Sequence, residues 1–319
     1  MTNSKDFKIV FMGTPDFGAQ ILEELIKNNF NIVGVFSQPD KPKGRGKKLQ
    51  PTPVKIVALK YNVPVFQPKS VNKGEGFDFL KELNPDIIIT AAFGKILRKN
   101  VLKLPPKGCW NVHASLLPKY RGAAPIQRAI ENGEKETGIS IFKMVEALDA
   151  GDIAIQKSVP IEINDNYGLV YEKLLSLAKD AVLEFLNSFD QLTLKPQNEE
   201  EASYAEKITK EDLKIDFNND TIKVHNKVRA YDPYRGVRSV YEKEEVKIFG
   251  SEFSADLLTI ENKEEPGTII AIEKDGILVK CRDGAIKIKE IQFPGKKKIT
   301  TIDAINGKKL RLYGQFSPY

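Results

Sequence analysis

Residues 86–92 read Asp-Ile-Ile-Ile-Thr-Ala-Ala, an apolar run with no polar alternation. A strand with one face in water alternates; one that stays apolar is covered on both faces, the habit of a parallel sheet clad in helices. Residues 8–12 (Lys-Ile-Val-Phe-Met) behave the same way, and residues 31–37, 64–67 and 109–112 supply further short apolar runs. Helical segments are predicted between them: residues 19–27, with Ile21, Leu22 and Leu25 on one face, then 53–61 and 77–83, the last stopped by Asn84-Pro85. This alternation predicts an α/β domain with a doubly wound, mostly parallel sheet, Rossmann-like in its order of elements. Sheets of this kind hold their ligands beyond the carboxyl ends of the strands.

The first strand-to-helix turn is Gly13-Thr14-Pro15-Asp16-Phe17-Gly18. It is not Gly-x-Gly-x-x-Gly, and Pro15 removes an amide that a pyrophosphate would use, which argues against a dinucleotide cradle. After residue 108 the pattern continues with a helix over 126–132, strands over 138–144 and 155–161, and a long amphipathic helix over 165–186. Residues 1–189 therefore form the expected first domain, and the polar, acidic stretch within 190–207 an expected linker. Residues 208–319 change character: a helix over 220–230, then short alternating strands at 238–241, 246–249, 267–272, 276–280 and 285–291, with glycine-containing turns. They predict a small C-terminal β-barrel of OB type.

Composition closes several alternatives. Two cysteines far apart, Cys109 and Cys281, fit reduced thiols rather than a disulfide framework. With two histidines in all, His113 and His225, no metal site is expected. The N-terminus has no signal-peptide core and no apolar run approaches spanning length, so a cytoplasmic chain away from membranes is expected. No sequence feature marks an oligomer interface, and a monomer is expected. The net charge of +6 permits a polyanionic partner without requiring one.

The chemistry concentrates in residues 108–127, Gly-Cys-Trp-Asn-Val-His-Ala-Ser-Leu-Leu-Pro-Lys-Tyr-Arg-Gly-Ala-Ala-Pro-Ile-Gln. At the end of a strand, Asn111 and His113 point to the same face. An amide beside an imidazole can grip one developing oxyanion, although a lone histidine near a strand end is more often a hydrogen-bonded structural residue. The turn Leu148-Asp149-Ala150-Gly151-Asp152 adds two carboxylates, of which Asp149 in Asp-x-Gly is also ordinary turn chemistry. There is no Gly-x-Ser-x-Gly, no catalytic cysteine context and no metal motif. Such a set suits direct transfer to a substrate that brings its own nucleophile, such as an amine. Asn111 would donate to a carbonyl oxygen, His113 would stabilise or protonate the oxyanion, and an aspartate would orient the histidine and help remove the amine proton.

Two basic features accompany this site. Residues 37–53 place Lys41, Lys43, Arg45, Lys47 and Lys48 among glycines and prolines, where no regular element is expected. The segment is either a solvated surface loop or a cationic loop that orders on a phosphate backbone. Residues 207–319 hold 22 Lys/Arg against 18 Asp/Glu, with Lys287, Lys289, Lys296, Lys297 and Lys298 clustered near the end. That half is either an accessory core with a solvated face or a nucleic-acid platform.

The segments Asn111-x-His113-x-Ser115-Leu116-Leu117-Pro118, Arg121-Gly122 and Leu148-Asp149-x-Gly151-Asp152 resemble the signature of the 10-formyltetrahydrofolate-dependent formyltransferases. Gly13-Thr14-Pro15-Asp16-Phe17, Gln38-Pro39-Asp40, the 44–48 loop and Arg121-Gly122-Ala123-Ala124-Pro125-Ile126-Gln127 are similar to the branch that formylates initiator methionyl-tRNA. This resemblance implies a catalytic trio of Asn111, His113 and Asp149. It places the formyl donor, 10-formyltetrahydrofolate, against Ser115, Leu116, Leu117 and Pro118, with its pterin near Ile88, Phe93, Gly94, Ile96 and Leu97. It sends the Arg45 loop toward the acceptor end of the tRNA and gives the barrel to the tRNA body. Pro233-Tyr234-Arg235-Gly236 departs from the tryptophan-containing segment expected there. The remaining alternatives are a formyltransferase acting on a glycinamide nucleotide or an amino sugar, one passing the formyl group to water, and a noncatalytic RNA-binding protein. The first two leave the cationic loop and basic C-terminal half without a purpose, the third the trio.

Overall fold

Seven strands carry the N-terminal part: β1 (Ile9–Gly13), β2 (Ile32–Phe36), β3 (Val65–Phe66), β4 (Ile87–Ala91), β5 (Cys109–His113), β6 (Glu136–Lys143) and β7 (Ile153–Pro160). They lie in the order β7-β6-β5-β4-β1-β2-β3. The pairs β2/β3, β1/β2, β1/β4 and β4/β5 are parallel, and β5/β6 is antiparallel. The structure, a computed structural model, describes residues 4–43, 46, 48–260 and 262–318. The chain divides into two compact units, residues 1–123, 138–159 and 173–205 in the first and 124–137, 160–172 and 206–319 in the second.

Both faces of the sheet are covered, as its unalternating strands require. Val10, Met12, Ile88 and Cys109 meet Leu80 of α3 (Glu75–Leu83) and Val101 of α4 (Lys99–Leu102) in one buried cluster. The opposite face meets α1 (Asp16–Lys27) and α2 (Pro53–Lys60), which pack on each other and bury Ile21, Leu22, Leu25, Val54 and Ala58. Trp110 of β5 stacks there on Phe185 of α6 (Tyr167–Asn187), ring centroids 4.8 Å apart.

Residues 37–53 correct the expectation of a segment without regular structure. Lys41–Lys43 and Lys48–Gln50 pair as a small antiparallel hairpin, in register Lys41 to Gln50 and Lys43 to Lys48. Proline at 42 needs no amide partner on a two-strand ribbon, and Gly46 at φ +98° sits within the connection.

In the second unit, α5 (Pro125–Glu131) packs on α7 (Thr221–Tyr231). The sheet there is antiparallel, built from β8 (Val237–Tyr241), β9 (Glu244–Glu252), β10 (Ile269–Glu273), β11 (Gly276–Lys280), β12 (Ala285–Gln292), β13 (Lys298–Thr300) and β14 (Phe316–Ser317). Its path is β10-β11-β12-β9-β8-β14, with β13 paired to β12. The named strands form an open path rather than a closed barrel. Its ends approach at a bridge between Thr268 and Gln315, where the Ile269 amide donates to the Gly314 carbonyl at 2.8 Å.

His225 of α7 is fully buried, its Nε2 2.8 Å from the Ile163 carbonyl and its Nδ1 2.9 Å from the Ser251 hydroxyl. The carbonyl only accepts, so Nε2–H donates, and in the neutral ring Nδ1 accepts from the Ser251 hydroxyl. Burial pushes its pKa from 6.5 down to about 4. Unfolded chains take up this proton as pH falls through 6.5 while the native state refuses it until about 4, so the contribution is full above 6.5 and lost below. Between pH 7 and 4.5 the difference in unfolding free energy between wild type and His225→Gln should shrink by about 2–3 kcal/mol. Urea titrations at the two pH values check this; a constant difference would refute it.

Candidate active site

β5 delivers Asn111 and His113 to one face, and the parallel register sets Thr90 of β4 beside Asn111. The Thr90 hydroxyl donates to Asn111 Oδ1 at 2.6 Å. With that oxygen engaged, the amide presents Nδ2, a donor suited to an oxygen gaining negative charge. His113 is buried, and its Nε2 lies 2.9 Å from the Tyr120 carbonyl. Nε2 therefore carries a proton, and Nδ1 keeps its lone pair when the ring is neutral. Nδ1 faces Asp149 Oδ2 at 3.8 Å, longer than a hydrogen bond. Two facing acceptors make a place for one proton: a ring protonated at Nδ1 meets a carboxylate that stabilises it.

Asp149 is fixed from two sides. Its Oδ2 accepts the Gly122 amide at 2.8 Å. Its backbone stands at φ +50°, a left-handed conformation that aspartate tolerates better than most residues. Gln197 Nε2 donates to the Asp149 carbonyl at 2.8 Å and to the Gly151 carbonyl at 2.7 Å. Asp152, two residues on in sequence from Ala150, is exposed.

The Ser115–Pro118 segment is pinned from below. Ser115 Oγ donates to the Lys119 carbonyl at 2.7 Å, and Ser140 Oγ donates to the Ser115 carbonyl at 2.7 Å. The Leu117 amide reaches Ser140 Oγ, and Gln156 Nε2 donates to the Leu117 carbonyl at 2.9 Å. Leu117 packs on Phe142 and Ile153, while Leu116 and Pro118 are half-buried and the Leu117–Pro118 peptide is cis. The loop after β4 divides its residues: Ile88, Phe93 and Leu97 lie in the core, whereas Gly94 and Ile96 are exposed. Gln38 Nε2 and the Thr14 hydroxyl both donate to the Phe93 carbonyl, at 2.9 and 3.1 Å. Asp40 anchors the same stretch by accepting from Gln67 and Lys55, which hold its carboxyl below the usual range.

Neither thiol is a nucleophile, since burial raises the Cys109 and Cys281 pKa values to about 12. Among the described residues no group of three or more His, Cys, Asp or Glu side chains could hold a metal ion.

The sequence profile described as "Formyl transferase" matches residues 7–186, and "Formyl transferase, C-terminal domain" matches residues 207–309. The chain belongs to the formyl transferase family. Methionyl-tRNA formyltransferase of Kosmotoga olearia is 58% identical over 304 residues, 94% of this chain and 96% of the relative. The enzyme of the same name from Thermotoga maritima is 50% identical over 304 residues, 94% and 95% of the two chains. Among solved structures, the sugar 3N-formyl transferase WlaRD, determined in the presence of dTDP and 5-N-formyl-THF, superposes with a TM-score of 0.66 at 20% identity. That match covers 91% of this chain and 99% of WlaRD. HypX from Aquifex aeolicus, in complex with tetrahydrofolic acid, gives a TM-score of 0.66 at 19% identity, over 96% of this chain and 48% of HypX. This chain thus spans about half of HypX, and both likenesses bear on the fold alone.

The basic residues of this formyl transferase divide into distinct groups. Lys41 and Lys48 lie exposed on the hairpin, Lys43 ends its first strand, and Arg45 and Lys47 lie outside the described residues. Lys287 is shared by Glu273 and Asp275, Lys289 pairs with Glu252 and Asp275, and Lys298 pairs with Glu290 at 2.6 Å. Their charge is largely compensated locally. Lys296 and Lys297 are exposed, and Lys296 joins Lys308, Lys309, Glu242, Glu244 and Phe293 around a cavity of about 440 Å³. Thr90, Gln38 and Gln197 escaped the sequence reading. The first sits inside a strand, Gln38 lay in a segment that carried a resemblance but no assigned role, and Gln197 stood in a polar stretch expected to link domains. No helix of the described residues is long and apolar enough to cross a membrane.

Proposed function

We propose that this chain transfers the formyl group of 10-formyltetrahydrofolate to the α-amino group of methionyl-initiator tRNA, giving N-formylmethionyl-tRNA. The observation that carries the chemistry is the convergence of a Thr90-oriented Asn111 with the His113–Asp149 pair. The choice of acceptor is supported by the relatives at 58% and 50% identity over nearly full length.

The amine nitrogen forms a bond to the formyl carbon while the bond from that carbon to the folate nitrogen breaks. The amine gives up one proton and the folate nitrogen takes one. Asn111 Nδ2 donates to the formyl oxygen as negative charge grows there. His113 Nδ1, backed by Asp149, receives the amine proton. Bound folate supplies an activated formyl carbon. Its support is the Ser115–Pro118 segment with the exposed Gly94 and Ile96, while Ile88, Phe93 and Leu97 shape that floor from beneath. Folate chemistry fits these residues because a donor amide and a proton acceptor stand side by side on one face of β5.

The basic hairpin contacts the acceptor end of the tRNA, and the second unit, read as an OB-type sheet whose ends approach at the Thr268–Gln315 bridge, holds the tRNA body. Lys296 and Lys297 are the members of the sequence-predicted cluster best placed to meet phosphate. Purified protein with 10-formyltetrahydrofolate should formylate methionyl-initiator tRNA and leave free methionine and a glycinamide nucleotide untouched. Turnover of a small amine without formylation of tRNA would keep the folate chemistry and discard this acceptor.

A further inference from the structure

We infer that Gln197 is a positioning residue of the active site, coupling a buried Arg121 to the turn that holds Asp149. The inference rests on the role of Asp149 proposed above. Arg121 is 1% exposed, which a guanidinium accepts only when its donors are met. Its Nη1 and Nη2 grip the Glu199 carboxylate at 2.9 and 2.8 Å, and its Nε and Nη2 reach Gln197 Oε1 at 3.1 and 2.9 Å. Gln197 spends both amide protons on the carbonyls of Asp149 and Gly151.

The orientation of this amide admits one solution. A guanidinium only donates and a carbonyl only accepts, so Oε1 faces Arg121 and Nε2 faces the turn. The next residue after Arg121, Gly122, donates its amide to the Asp149 carboxylate. One dipeptide therefore fixes Asp149 twice, at the carboxylate directly and at the main chain through Gln197. Gln197 is itself seated by Lys195, whose amide and carbonyl bond to Ile153 at 2.9 and 2.8 Å. The carboxylate then stays 3.8 Å from His113 Nδ1. Misplacement by 1 Å of a group that must meet a proton in flight costs about 10²-fold in rate.

Gln197→Glu tests this in the full chain. The new carboxylate still accepts from Arg121 but confronts two carbonyl oxygens with no proton to give. The kcat for formylation should fall about 10–100-fold, with KM for folate and for charged tRNA within about threefold, because the polar atoms of Gln197 are spent on Arg121 and the turn. Gln197→Ala removes the clash as well as the donors but leaves the buried Nε of Arg121 without its acceptor, so kcat should fall by about tenfold while the melting curve shifts down by several degrees and stays cooperative. In an Asp149→Asn background the Gln197→Glu loss should vanish to within about twofold, since both changes act on one group. Wild-type kcat in both Gln197 variants, or losses that multiply with Asp149→Asn, overturns the inference. Wild-type kcat in Asp149→Asn overturns the Asp149 assignment, and the coupling with it. A slow Asp149→Asn beside unaffected Gln197 variants overturns the coupling alone.

Discussion

His113→Ala should lower the rate of formyl transfer by about 10²–10³ and leave the binding of methionyl-tRNA unchanged. The first half of this result follows from the usual cost of removing one group that meets charge or a proton in the transition state. The second follows from burial: His113 is 6% exposed and offers no surface to a macromolecule. Alanine also removes the bond to the Tyr120 carbonyl, so a slow variant by itself would not separate chemistry from loop geometry. His113→Gln does, because its amide can reach that carbonyl through Nε2 and has nothing to place at the position of Nδ1. Both variants should be slow to a similar degree. Transfer within about tenfold of wild type in either would remove His113 from the proton path. Recovery in the glutamine variant alone would reassign His113 to supporting the Tyr120 loop. Asn111→Ala belongs to the same experiment and should match the histidine loss, with the Thr90 hydroxyl left to water.

The sheet was legible because its strands violate alternation. Residues 8–12 and 86–92 are apolar on both faces, and both lie in the middle of the parallel ladder with every β1 and β4 side chain buried. Asn111 and His113 were legible for the opposite reason: two polar residues at period 2 in such a strand have to face something. What escaped depended on distance along the chain. Thr90 meets Asn111 through a register between strands 21 residues apart, which no local pattern encodes. Gln197 stood among acidic residues, and composition there speaks of solvent, whereas the buried Arg121 recruits that very segment with Glu199. The hairpin of residues 41–50 was missed because lysines and prolines score against a strand, yet a two-stranded ribbon asks little of either. Charge counting was misleading in the second unit, where the surplus of lysine over carboxylate says nothing of pairing. Lys287 and Lys289 sit among Glu252, Glu273 and Asp275.

Gly151→Ala should abolish activity without unfolding the protein. A methyl group built on Gly151 falls 1.7 Å from the Lys143 carbonyl oxygen, a distance no Cβ occupies, and the obstacle is backbone of β6 rather than a movable side chain. β6 is held on its far side by register with β5, Trp110 to Lys143 and His113 to Ser140, so the turn yields before the strand does. The displaced turn carries Asp149, its carbonyl leaves Gln197, and its carboxylate leaves the Gly122 amide. Overpacking of this kind costs about 1–3 kcal/mol, which a folded enzyme of this size survives, while the carboxylate moves by more than the about 1 Å that costs 10² in rate. The expected result is a kcat lowered by more than 10²-fold with a melting curve shifted by several degrees and still cooperative. Gly74→Ala is the comparison: its φ of +58° also disfavours a side chain, but a Cβ there meets nothing within 4 Å. With ψ at −151° the backbone there is open essentially to glycine alone, so the variant should cost about 1–3 kcal/mol of stability and leave kcat alone. Equal losses of activity in the two glycine variants would mean that general loosening, and not the place of Asp149, sets the rate.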